Sequence, residues 1–275
     1  MSFTNLLVHV DDSDRCGERL TVALTLAQKH GATLTGLFAQ SDSSGAGIVT
    51  RKAGPALTQA AQRARELFEE KAREAGVTTR WWQLSHGEYG HVIAETVICS
   101  RYVDLAVFGQ HDPEDSRVPA DLLEEVVLNA GRPILVVPHS GSYPQLADRP
   151  VIAWNGSREA TRAVNDALPL LKQASSVLLL AFHTQPRAEG GGNVPQVDIL
   201  EHLASHGVTA IQERMTIASM TPMDAVLSRA SDHGADLLVM GGFGGYGGSL
   251  FPLFGRGSNT RQILRQMTLP VLLSH

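Results

Sequence analysis

Apolar positions along the chain follow two patterns, short continuous runs and longer stretches with helical spacing. Residues 6–10 form a continuous run, and Leu20, Ala23, Leu24 and Ala27 follow it at the spacing of one helical face. Continuous runs are typical of strands covered on both faces, as in a parallel sheet between helices. Because parallel strands need helical crossovers, the alternation predicts a doubly wound α/β fold.

The same order of patterns begins again in mid-chain. The matching segments are residues 6–13 and 151–157, 32–38 and 176–182, 76–78 and 207–209, 104–109 and 236–241, and 132–137 and 269–273. Since the order of the matches is preserved, the sequence predicts an internal duplication. We therefore predict two tandem five-stranded, Rossmann-like domains. They span residues 1–140 and 149–275, the first half and the second half, with a linker over residues 138–150.

Two similar halves in one chain are expected to pack as a pseudo-dimer about a twofold axis. A further homodimer of whole chains is compatible with this arrangement.

A glycine-rich segment, residues 241–258, follows the fourth predicted strand of the second half. Open α/β sheets bind ligands at the carboxyl ends of their strands, and glycine lets backbone N–H groups approach a phosphate. A helix follows, so its positive end points into the same loop. Ser258, Asn259 and Thr260 are residue types that cap a helix N-terminus. The hydroxyls of Ser258 and Thr260 can also add donors, and Arg256 or Arg261 can add a compensating charge. The pattern predicts a nucleotide-phosphate site, with a ligand-free surface loop as the alternative.

The corresponding loop of the first half, residues 109–119, has a different composition. It contains one glycine, two prolines and the acids Asp112, Glu114 and Asp115. Prolines lack a donor and carboxylates repel phosphate, so the first half is predicted to bind a triphosphate poorly or not at all. A metal site built from these acids and His111 is the less favoured alternative to a solvated loop.

Gly244, Gly247, Gly257 and Ser258 have the spacing Gly, two residues, Gly, nine residues, Gly and Ser. With this signature the whole chain resembles the universal stress protein family in its tandem form. A second frame begins directly after the strand at Gly241 and lengthens the loop by three residues. We prefer this strand-anchored frame, and both frames end at Gly257 and Ser258.

The resemblance implies binding of ATP or a related adenine nucleotide, with or without Mg²⁺, by the second half. In ATP-binding members an acidic residue ends the first strand, and the matching residues here are Asp11 and the uncharged Asn155. Asn155 is equally suited to cap the following helix. The implied nucleotide contacts are Asn155, Phe182, Met240, Gly241, Gly242, Gly244, Gly247, Gly257, Ser258, Asn259 and Thr260. The resemblance also implies that the two halves pair through their final strands, residues 134–137 and 271–273, whose exposed edges would then cover each other. The implied role is a stress response through conformation or partner binding.

Composition and charge narrow the class of protein. The 275 residues carry a formal net charge of −5, which gives no reason to expect nucleic acid or an anionic membrane as partner. No apolar run approaches the roughly 20 residues of a membrane span, and the N-terminus lacks a signal-peptide pattern. Cys16 and Cys99 are predicted to be reduced thiols. We therefore expect a cytoplasmic protein.

Catalytic patterns are weak in this sequence. We find no nucleophile elbow, no lysine-bearing phosphate loop and no recognisable general base, so any ATPase activity is expected to be slow. Two other functions are alternatives: an assembly module with degenerate sites in both halves, and an adenylate-forming or nucleotidyl-transferring enzyme. The second is disfavoured because no histidine-rich phosphate motif follows the first strand.

Overall fold

The computed structural model describes residues 2–42, 52–115, 117–182, 198–215, 221–244 and 257–275. The elements of the first half are β1 (Asn5–Val10), α1 (Cys16–His30), β2 (Thr33–Phe38), α2 (Pro55–Ala75), β3 (Thr79–Gln83), α3 (Tyr89–Ser100), β4 (Leu105–Gly109), α4 (Leu122–Asn129) and β5 (Ile134–Val137). Those of the second half are β6 (Pro150–Trp154), α5 (Arg158–Leu171), β7 (Val177–Phe182), α6 (Ile199–Ser205), β8 (Ala210–Met215), α7 (Pro222–His233), β9 (Leu237–Gly241), α8 (Ser258–Gln266) and β10 (Val271–Ser274).

The strands of both halves form one sheet in the order β3-β2-β1-β4-β5-β10-β9-β6-β7-β8. Neighbours within each half are parallel, which confirms the predicted doubly wound fold. Successive residues of a strand pack into two apolar cores on opposite faces of the sheet. Leu6 and Val8 lie in one core, and Leu7 lies in the other. The continuous apolar runs in the sequence follow from this two-sided burial.

The halves join through their final strands. β5 and β10 are antiparallel, and Leu135 lies opposite Leu272. Each of these leucines is the second residue of its strand, so a pseudo-twofold axis passes between them. The predicted covering of the two strand edges is confirmed.

The duplication extends to individual hydrogen bonds. Asp104, just before β4, accepts the backbone N–H groups of Thr4 and Asn5 at 2.8 and 3.0 Å. Asp236, just before β9, accepts the N–H groups of Asp148 and Arg149, directly before β6, at 2.7 and 3.0 Å. In both halves this carboxylate fixes the start of the first strand against the fourth.

The segment between the halves is held by contacts with both of them. The N–H of Tyr143 donates to Glu18 at 2.6 Å, and its hydroxyl donates to the carbonyl of Thr268 at 3.2 Å. Leu146 and Ala147 are buried in the core, although the sequence shows no apolar period here. Two adjacent apolar residues in one turn are too few to produce a period.

Candidate functional site

The carboxyl ends of β6 and β9 lie side by side, because Ala153 pairs with Met240 in a parallel register. From this central pair of strands, the chain continues from β6 to β7 on one side of the sheet and from β9 to β10 on the opposite side. This reversal is the topological switch point, where open α/β sheets bind ligands. Asn155 follows β6 here, Gly241 ends β9, and Phe182 ends the neighbouring strand β7. The sheet therefore brings these three predicted residues to one edge.

Gly257 positions the N-terminus of α8 at the same edge. Its φ of +71° is in the left-handed region, and a Cβ there would lie 2.5 Å from the ring of Phe243. The helix begins at Ser258 and Gly257 holds the cap position, so the predicted capping by Ser258, Asn259 or Thr260 is wrong. Buried Thr260 accepts the N–H of Phe243 through Oγ1 at 2.8 Å. The first turn of α8, which includes Asn259, therefore follows a glycine, which has no side chain to cap the N–H groups of that turn.

The glycines after β9 are packed against α5. A Cβ on Gly241 would lie 2.6 Å from the backbone nitrogen of Ala160, and one on Gly244 would lie 2.9 Å from Oε2 of Glu159. Neither position has room for a side chain. Gly247 and Arg256, which the sequence assigned to this loop, lie outside the described residues.

Glu159 is a site residue that the sequence analysis missed. The side chain is buried, with Oε1 3.0 Å from the guanidinium of Arg158 and Oε2 beside Gly244. A carboxylate at this point opposes a phosphate by charge repulsion. It was overlooked because an acid in the first turn of a helix is ordinarily explained by the helix dipole.

Two predicted contacts have roles that the structure narrows. Ser157, not Asn155, caps α5, because its Oγ accepts the N–H of Ala160 at 3.1 Å. Exposed Asn155 instead accepts the N–H of Ser157 at 3.1 Å through Oδ1. Met240 is buried in the core, so its backbone is the part that reaches the site edge.

The matching edge of the first half holds a buried ion pair. The guanidinium of Arg19 lies 2.8 Å from Oδ2 of Asp11, and Oδ1 of Asp11 accepts the N–H of Ser13 at 3.0 Å. Asp11 matches the acidic residue that the resemblance implies at the end of the first strand. Its carboxylate is already engaged within the protein. Arg19 also fills the space beside Gly109, where a Cβ would lie 2.3 Å from its Nη1. Its charge on the apolar face of α1 was the sequence signal for this pair.

Burial and pairing determine the charge states of this cluster. Burial by itself would raise the pKa of Asp11, but Arg19 holds that pKa well below its ordinary value. Burial, together with Arg19, lowers the pKa of His9 to about 4. Nε2 of His9 lies 2.7 Å from the carbonyl of Ala39, so the neutral ring carries its proton on that nitrogen.

A cavity of about 60 Å³ remains beside the ion pair, bounded by His9, Arg19, Phe108 and His139 among others. Its volume is far smaller than the pockets that hold drug-sized ligands. The first half therefore has little room for a nucleotide at the position where the second half has its glycines.

Arg261 contacts a residue of the first half. Its guanidinium forms a two-point ion pair with Glu124 of the first half, with Nε 2.9 Å from Oε2. It also lies over the ring of Phe243, 5.7 Å from the centroid. A charge expected to face phosphate is thus directed across the junction between the halves.

Within the described ranges, no helix combines the length and apolar character needed to cross a bilayer. In the same part of the chain, no three His, Cys, Asp or Glu side chains are grouped for a metal ion.

Comparisons with known proteins agree with this architecture. The sequence profile of the universal stress protein family matches residues 148–275. A universal stress protein from Archaeoglobus fulgidus DSM 4304 superimposes with a TM-score of 0.69 at 17% identity, covering 98% of this chain and 95% of its own. A putative universal stress protein from Pseudomonas aeruginosa UCBPP-PA14 gives a TM-score of 0.62 at 16% identity, with coverages of 99% and 93%. No curated protein sequence gives a significant match.

Both structures cover nearly the whole chain, so the similarity of fold includes the first half as well as the second. The profile match begins two residues before β6 and ends with the chain. The second half therefore matches the universal stress protein family over residues 148–275, and the first half repeats the fold of that half.

Proposed function

We propose that this protein binds ATP or a related adenine nucleotide in its second half and acts in a stress response through conformation or partner binding. The observation that carries the proposal is the start of α8 at the switch point. There Gly257, in a left-handed conformation, leads into the first helical turn without a capping side chain. Backbone N–H groups at a helix start, together with the helix dipole, form an anion site.

The first half supports an assignment of one nucleotide per chain. It places Ala120 and Asp121 where the second half has Gly257 and Ser258, so a carboxylate replaces a hydroxyl at the helix start. Asp11, the residue suited to a nucleoside, is paired with Arg19. We expect ATP to bind at a stoichiometry of one.

Isothermal titration of the full chain with ATP, with and without Mg²⁺, tests the proposal. The variant Gly257→Ala/Ser258→Ala should lose binding, because a Cβ at 257 meets the ring of Phe243 and the hydroxyl is removed. Asp121→Ala is the matched control at the equivalent position of the first half and should bind as the wild type does. Absence of binding by the wild type at millimolar ATP would refute the proposal.

A second candidate function, an assembly module without a nucleotide, is favoured by Glu159. Its buried carboxylate beside Gly244 places negative charge next to the proposed phosphate site. The absorbance spectrum of the supernatant after denaturing the purified protein separates the two functions. A co-purified nucleotide gives a band near 260 nm, and an assembly module gives none.

A further inference from the structure

In α4 and β5, the pseudo-twofold axis relates each residue to the one 137 positions later, in α8 or β10. Leu135 and Leu272, which have this spacing, lie opposite each other in the β5–β10 pair. The hydrogen bond from Ala130 N–H to the carbonyl of Val126 at the end of α4 recurs at the same spacing at the end of α8. The equivalence therefore extends without gaps from α4 and α8 into the final strands.

Glu124 of α4 and Arg261 of α8 are equivalent residues that touch across this axis. They are 137 positions apart and form the two-point ion pair described above. If two first halves paired in the same way, Glu124 would meet a second Glu124. If two second halves did so, Arg261 would meet a second Arg261. The mixed pair brings opposite charges together, and either like pair brings the same charge together.

A second contact differs between the two sides of the axis. Gln110, the first residue after β4, donates through Nε2 to the carbonyls of Leu264 and Arg265 at the end of α8, at 3.0 and 3.2 Å. Gly242 is its equivalent after β9, and a Cβ there would lie 2.8 Å from Cγ1 of Val127 on α4. One side of the axis is thus bridged by a long amide, whereas the other side has no room for a side chain.

We propose that the pairing face of each half is specific for the other half and selects against a second copy of itself. The face consists of β5 and α4 in the first half and of β10 and α8 in the second. The opposite charges of Glu124 and Arg261 attract in the mixed pair, and the same charges repel in the like pairs. The difference between Gln110 and Gly242 fits the mixed pair and would leave the like pairs poorly packed. This proposal does not depend on nucleotide binding.

Charge variants of the full chain reproduce the like pairs directly. Glu124→Arg creates the Arg–Arg contact that two second halves would make, and Arg261→Glu creates the Glu–Glu contact of two first halves. Each should lower the midpoint of thermal unfolding by about 2–4 °C in low salt. Glu124→Gln and Arg261→Gln, which remove the attraction without adding repulsion, should show smaller losses. The exchanged pair Glu124→Arg/Arg261→Glu should melt within about 1 °C of the wild type.

Two results would overturn the proposal. One is a midpoint of thermal unfolding for the exchanged pair that falls by as much as the sum of the falls for its two single variants. Opposite charges across the axis would then contribute nothing to stability. The other is a loss for the charge reversals no larger than for the glutamine variants. In 1 M NaCl, where the screening length is about 3 Å, the differences among the variants should shrink.

Discussion

Replacing Arg19 tests the interpretation that the first-half site is occupied by the protein itself. Arg19→Met keeps an unbranched apolar stem, removes the guanidinium and leaves Asp11 buried without its partner. Breaking a buried ion pair by removing one partner costs about 3–5 kcal/mol. Asp11→Asn/Arg19→Met removes the second charge as well and gives this position the residue type of Asn155. We expect the double variant to recover at least about 2 kcal/mol of the loss.

Urea unfolding of the wild type and the two variants at pH 7 and pH 5 measures both effects. In the wild type the pKa of Asp11 is lowered, so its stabilising contribution persists until the pH falls below the ordinary range of an aspartate. Without Arg19, burial raises this pKa, so the free energy of unfolding of Arg19→Met should rise relative to that of the wild type between pH 7 and pH 5. If the double variant is no more stable than the single variant at pH 7, the buried charge is not the source of the loss.

Three further results are expected. The pKa of His9 is lowered to about 4 from an ordinary 6.5, so the unfolded state binds more protons between these values. The free energy of unfolding should therefore decrease by up to about 3 kcal/mol as the pH is lowered from 6.5 to 4. A His9→Gln variant that shows the same slope in chemical unfolding would contradict this. Gly257→Ala should destabilise the protein by about 1–2 kcal/mol through its left-handed φ, with Gly257→Asn closer to the wild type in thermal melts. Glu159→Gln should tighten ATP binding by roughly five- to tenfold, about 1 kcal/mol, in Mg²⁺-free titrations, and weaker binding would place Glu159 among the groups that hold the ligand.

The candidate site was predicted in outline and corrected in detail. The order of glycines in the sequence located the loop, and parallel pairing of β6 with β9 places Asn155 beside Gly241. The charges were harder to assign, because a side chain's partner depends on which helix faces it. Arg261 pairs with Glu124 of the other half, and no spacing within α8 indicates such a contact.

The sequence alone determined the α/β class and the duplication. These features depend on the pattern of apolar runs, which records burial on both faces of a sheet and repeats with it. Tertiary structure alone decided how the equivalent positions were used. The same edge of the sheet holds the buried Asp11–Arg19 pair in the first half and closely packed glycines in the second. Such differences arise from contacts between elements distant in sequence, which a local pattern does not contain.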